Sequence, residues 1–176
     1  MKKYILIIVG ILVLSVAGYF GMRAYTKGAS PETTAIYEKN GLRIQVEYSR
    51  PSKKGRVIFG SLEPYGKVWR TGANEATQIA INKPVSFGGK PLQAGTYTLF
   101  TIPNKEMWTV ILNSELEQWG AFNYNDSKDV LRVQVPVTNT NKVIEMFTID
   151  FTEGNHTVNM QLMWDQTKVE VPIGVQ

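Results

Sequence analysis

The chain contains no cysteine. That absence removes disulfide staples, a thiolate nucleophile, thiolate zinc ligands and the acylated cysteine of a lipoprotein. Histidine is nearly as scarce. The single copy, His156, stands in GNHT between a turn and a strand-like run. A Ser–His–Asp relay would have to use it, and nothing around it resembles a nucleophile elbow. His156 therefore reads as a solvent-facing polar residue. No phosphate-binding glycine loop or dinucleotide fingerprint occurs, since Gly88-Gly89 sits between short β-like runs and opens no helix. Helical periodicity is rare beyond the N-terminus, and only SELEQWG (114–120) suits a helical turn or two. A genuine excess of charge is missing too. The nominal net charge of +4 resides in Lys2, Lys3, Arg23 and Lys27, and from Pro31 onward 15 basic residues balance 15 acidic ones. Nucleic acid is therefore not an expected partner.

The N-terminus supplies what the rest of the chain lacks, a long hydrophobic run. Between Lys2-Lys3 and Arg23 lie 19 uncharged residues, Tyr4 to Met22. About 20 residues at ~1.5 Å each span a bilayer core. The favoured reading is a retained membrane anchor over residues 1–30. Its rival is a cleaved signal peptide, with an apolar region ending near Leu14 and small residues Ser15 and Ala17 placed for cleavage. Tyr19, Phe20 and Met22 extend the run past that point. Either way, residues 31–176 are predicted on the extracytoplasmic, periplasmic side of a cell membrane, with residues 4–22 as the membrane contact. Gly28–Thr34 (GASPETT) is small and polar, as expected of a short linker.

After the linker, apolar residues recur with period two. Leu42, Ile44, Val46 and Tyr48 alternate with Arg43, Gln45 and Glu47, and Val158, Met160, Leu162 and Trp164 repeat the pattern. VLRVQV (130–135) and KVEV (168–171) do so more briefly. TYTLFTI (96–102) is apolar or β-branched on both faces, as expected of a central strand. Gly88-Gly89 and Ala94-Gly95 punctuate the runs as turn signals. Roughly ten short strands at this spacing predict an all-β fold, a single antiparallel β-sandwich over residues 31–176. Trp69, Trp108, Trp119 and Trp164 are expected in its core or at the core rim. Within this neutral domain residues 39–70 hold eight basic and two acidic side chains, and residues 106–170 hold four and ten. The two regions are expected to pair across the fold.

Three stretches could carry chemistry. NYNDSKD clusters Asn123, Asn125, Asp126 and Asp129, oxygen ligands of the type calcium takes. Lys128 intrudes, no glycine supplies a sharp turn, and no glutamate follows at EF-hand spacing, so the cluster reads as an Asx-rich turn. No metal or cofactor is expected. Glu63 and Glu75 are the carboxylates that a hydrolase acting on envelope carbohydrate would use, since glycosidases need two such groups ~5–10 Å apart. YGKVWRTGANEAT (65–77) is the densest stretch. On a strand Trp69 and Arg70 face opposite ways, so a core Trp69 aims Arg70 outward. One outcome is an internal Arg70–Glu75 pair, with Asn74 bonding the turn backbone. The other is a guanidinium offered to a carboxylate, phosphate or sugar hydroxyl. The candidate ligand-binding set is Arg50, Arg56, Arg70, Asn74 and Glu75, with no catalytic residue among them.

YSRPSKKGRVIFG (48–60), PYGKVWRTGANEAT (64–77), AGTYTLFTIP (94–103), WTVILN (108–113) and QWGAFNY (118–124) together resemble the bacterial family catalogued as domain of unknown function 2911. The resemblance covers roughly residues 35–172. It implies an envelope β-domain and no established reaction, so no catalytic residue is carried across. Two functions stand side by side. The first is a membrane-anchored envelope module that binds a polar small molecule, glycan or envelope protein. The alternative is a metal-independent hydrolase working through Glu63 or Glu75.

Overall fold

A computed structural model describes residues 2–155 and 157–175; the position expected for His156 lies outside them. Helix α1, Lys2–Ala29, is 28 residues long, and its described apolar side chains from Tyr4 to Met22 stand exposed. A helix that is apolar all round and covered by no protein is long and apolar enough to cross a membrane. The predicted linker is not formed. The helix runs to Ala29, and strand β1, Glu32–Lys39, begins after Ser30 and Pro31. Thr33 and Thr34, β-branched and suited to a strand, pair instead with Tyr48 and Glu47 of β2, Leu42–Ser49.

Beyond α1 the chain is an antiparallel β-sandwich made from one nine-stranded sheet that folds back on itself. After β1 and β2 come β3 (Gln78–Ile81), β4 (Val85–Phe87), β5 (Lys90–Leu92), β6 (Gly95–Ile102), β7 (Met107–Asn113), β8 (Asp129–Glu153) and β9 (Val158–Val175), in the order β1-β2-β3-β6-β7-β8-β9-β4-β5. The 25-residue β8 joins the layers. Its first third pairs with β7, from Asp129 opposite Asn113 to Pro136 opposite Met107. From Val137 onward it pairs with β9, with register shifts between Asn139 and Thr148. Such irregularities bend a strand and let it serve two sheets.

The alternating runs behave as predicted. Leu42, Ile44, Val46 and Tyr48 are buried from one side, and Val158, Met160, Leu162 and Trp164 from the other. Tyr48 ties the layers by accepting a hydrogen bond from the Ile149 amide at 2.8 Å. Gly88 and Gly89 turn β4 into β5 with φ of 57° and 83°, the left-handed pair that a two-residue hairpin requires. Lys39–Glu153 (2.7 Å) and Lys53–Asp165 (2.6 Å) join the basic and acidic regions.

Strand β6 is central, as its two apolar faces predict. Leu99 enters the main core, while Phe100 enters a second cluster with Ala76 and Ile111. Two irregular segments shape and cover this side of the sheet. Residues 114–125 form one, and their SELEQWG stretch, suited in sequence to a helical turn, forms none; among the described residues the one short helix beyond α1 is Asp126–Lys128. The other segment, residues 50–77, connects β2 to β3 and contains only isolated bridges. Connections longer than ~12–15 residues are uncommon in compact domains and are usually functional or disordered. Its earlier part is largely exposed, over residues 54–57 and 64–67, but Ile58, Trp69, Thr71, Ala76 and Thr77 are buried and hold it to the sheet.

Candidate functional site

The long connection is pinned at Trp69. Its backbone exchanges hydrogen bonds with Thr101 of β6, at 2.7 and 2.9 Å, and its indole enters the core against Phe147 (4.9 Å between centroids) and Trp164 (5.9 Å, stacked). Its Nε1 donates to the Gly72 carbonyl at 3.0 Å. Gly72 must be glycine on steric grounds, because a Cβ there would stand 2.9 Å from the Ser49 carbonyl oxygen. Between these anchors Thr71 takes φ of 57° and Asn74 the same value. A β-branched residue in the left-handed region is a genuine outlier costing about 1–3 kcal/mol. Surrounding contacts hold it: the Thr77 hydroxyl donates to the Thr71 carbonyl at 2.7 Å, and the Thr71 and Thr101 hydroxyls meet at 3.1 Å.

This tight winding sends the polar side chains to separate places. Arg70 lines a cavity of about 230 Å³ together with Ser52, Lys54, Arg56, Glu63 and Trp164. Its Nε is buried and has no hydrogen-bond partner. Burial lowers the Arg70 pKa, with the Glu63 carboxyl opposing that shift. Burial likewise raises Glu63, to about 7, against the opposing pull of Arg70 and Arg56. Desolvation of the Glu63 carboxyl outweighs the attraction of both guanidiniums. Arg56 is itself committed in part, donating to the Lys53 and Ser52 carbonyls.

Glu75 faces the other way. It accepts from Arg23 of α1 at 2.8 Å, with Lys27 at 3.7 Å, and lines a different cavity, about 460 Å³, between the base of α1 and strands β1 and β2. The Arg70–Glu75 pair considered from sequence is not formed, because the left-handed residues at 71 and 74 rotate the two side chains to opposite sides of the connection. Asn74 is buried, and its amide points at the Thr26 and Ser30 carbonyls and the Ser49 hydroxyl, all long contacts of 3.4–3.5 Å. Arg50 clamps the layers by donating to the Phe147 carbonyl at 3.0 Å and the Thr148 hydroxyl at 2.7 Å.

Of the five binding candidates, then, Arg56 and Arg70 share a cavity, and Arg50, Asn74 and Glu75 lie elsewhere. Glu63 and Glu75 line different cavities, so they do not face each other across one substrate site. Lys54, Ser52 and Trp164 also line the cavity, and the sequence patterns do not single them out for it. The basic run at 53–56 was the available signal for Lys54, while nothing local announces Trp164. The Asx-rich loop is internally satisfied: Asn125 accepts from the Ser127 amide at 3.0 Å, and the Asp129 carboxylate takes Arg132 at 2.6 Å and Tyr124 at 2.7 Å. No group of three or more His, Cys, Asp or Glu side chains suited to a metal ion occurs among the described residues.

Fold and site together define a β-sandwich domain behind an apolar helix, with one small basic cavity built into a strained connection. The chain belongs to the family described as "Protein of unknown function (DUF2911)", which matches residues 30–173. No curated protein and no solved structure gives a match.

Proposed function

We propose that the chain is a membrane-tethered envelope module whose extracytoplasmic domain binds a small anionic ligand, a carboxylate or phosphate, in the Arg56–Glu63–Arg70 cavity. The observation that carries this reading is the buried Nε of Arg70, which has no partner in the protein. A buried unpaired donor costs about 1–3 kcal/mol, and a guanidinium edge offers two parallel donors to an oxyanion. The ligand would supply the missing acceptor. Lys54 and Arg56 add positive charge at the same cavity, and Glu63, neutral below about pH 7, leaves room for an anion. At about 230 Å³ the cavity lies below the ~300–1,000 Å³ of drug-sized sites, which favours a compact ligand. Trp164 in its wall offers an apolar contact and a fluorescent reporter.

The test is native mass spectrometry of the full chain purified in mild detergent, followed by titration with inorganic phosphate and with a uronic acid while tryptophan emission is read. Saturable binding that Arg70→Ala weakens at least tenfold supports the reading. Equal affinity in both proteins would remove Arg70 from the site.

A second reading keeps Glu63 as a proton donor. A carboxyl titrating near 7 suits general acid catalysis, and a hydrolase of envelope carbohydrate would use it. The partner carboxylate would have to come from somewhere other than Glu75. Turnover of an aryl glycoside, abolished by Glu63→Gln, is its test.

A further inference from the structure

Segment 114–125 turns its buried side towards Phe100 and Ile111 and leaves three large apolar side chains outside: Leu116 at 40 % exposure, Trp119 at 46 % and Phe122 at 85 %. Trp119 is the one tryptophan of four that the core does not take. It is not simply stranded on the surface. It forms an apolar cleft of about 220 Å³ with Tyr19, Met22, Arg23 and Thr26 of α1, and its backbone bridges to Glu75, whose carboxylate holds Arg23. The position of Trp119 along α1 is therefore defined. It lies beside Met22, where the uncharged run ends.

We infer that this loop is the seat of the domain on the membrane, with Trp119 and Phe122 placed in the headgroup–acyl boundary beside the helix. The inference rests on the tethered reading above. Its geometry follows from rise: 19 residues from Tyr4 to Met22 cover roughly 28 Å, close to the ~30 Å hydrocarbon core. The end of the run marks an interface, and whatever packs beside Met22 and Arg23 lies at headgroup depth. Tryptophan is enriched there because its ring is amphipathic. Gly120, at φ 68°, allows a turn over which the Phe122 ring folds; a Cβ at 120 would meet that ring at 2.8 Å. Insertion would take the exposed Phe122 ring out of water. Glu115 and Glu117 are exposed in the same segment and Arg23 lines the cleft, so the patch carries both signs of charge and fits a zwitterionic rather than a strongly anionic surface.

The absence of cysteine makes the test clean. The full chain, wild type and Phe122→Cys carrying an environment-sensitive fluorophore, is reconstituted into phosphatidylcholine vesicles and floated on a density gradient. Flotation reports the anchor. Quenching by lipids brominated on their acyl chains, set against quenching by aqueous iodide, reports the loop. The expected result is flotation, brominated-lipid quenching of the label at 122, and a several-fold loss of lipid quenching of intrinsic tryptophan emission on Trp119→Phe. Flotation with iodide quenching alone would overturn the seat and leave the anchor standing. A chain that stays at the bottom of the gradient overturns the anchor, and the seat falls with it.

Discussion

Two adjacent residues, Trp69 and Arg70, divide the labour of the long connection. Trp69 is buried to 3 % exposure among Phe59, Trp108, Phe147 and Trp164, so Trp69→Ala should cost about 3–5 kcal/mol by opening a core cavity. Arg70 gives its Nε nothing to bond, and its removal takes away an unsatisfied buried donor. Arg70→Ala should therefore melt close to the wild type while ligand binding is lost. Thermal melts of the two variants separate these effects, and reversed sensitivities would make Arg70 a structural clamp. Glu63 adds a pH dependence of definite sign. Its folded-state pKa, about 7, lies above the ordinary value of 4.5, so the folded protein binds the extra proton between those limits. The stability Glu63 contributes is present in full below the lower value and is lost as pH rises through the upper. Glu63→Gln should flatten that slope and melt higher than the wild type above neutrality. Phosphate affinity of the wild type should fall over the same window, as a second negative charge appears in the cavity.

At the scale of elements, the turn at Gly72 is where local backbone and function meet. Adding a methyl group would press a Cβ to 2.9 Å from the Ser49 carbonyl and 3.2 Å from the Thr77 hydroxyl, and Ser49 belongs to β2 and cannot yield cheaply. Gly72→Ala should destabilise the domain by about 1–3 kcal/mol, measurable by urea unfolding. It should also weaken ligand binding, since the turn sets the direction of Arg70. The strands themselves were largely legible in sequence. β2 and β9 alternate because each buries one face, and β6 reads as apolar throughout because loops cover its second face. Less was legible where geometry depends on partners distant in sequence. β8 does not read as one strand, because its middle, TNTNK, is polar and lies at the bend between layers. Trp119 belongs to the same class of residue as its three buried counterparts, and only the covering loop's orientation sets it outside. Glu63 and Arg70 line one cavity, yet they come from an irregular segment without periodicity, and its left-handed Thr71 is a β-branched residue of a type that avoids that conformation, so no local pattern announces their convergence.

For the molecule as a whole, the domain and the apolar helix must be assigned to compartments. In the tethered reading, residues 31–176 face away from the cytoplasm. Protease added to cells with an opened outer membrane should then degrade the domain, whereas full protection would place it inside. Far-UV circular dichroism of the full chain should show a helical signal no larger than α1 supplies, because among its described residues the domain contributes a single short helix of three residues.

The junction between helix and sheet has a consequence for where such a protein can act. Only Ser30 and Pro31 separate α1 from β1. The Ser30 amide still bonds back to Thr26, the Pro31 carbonyl already accepts from Arg50, and Lys27 reaches across to Glu32. Such a join has no slack, unlike a glycine–serine tether, whose reach grows with the square root of its length. In the tethered reading, a domain carried on it would diffuse laterally without swinging. Its cavity would patrol the membrane at one fixed altitude, meeting molecules released at the bilayer and missing those a few domain diameters above it.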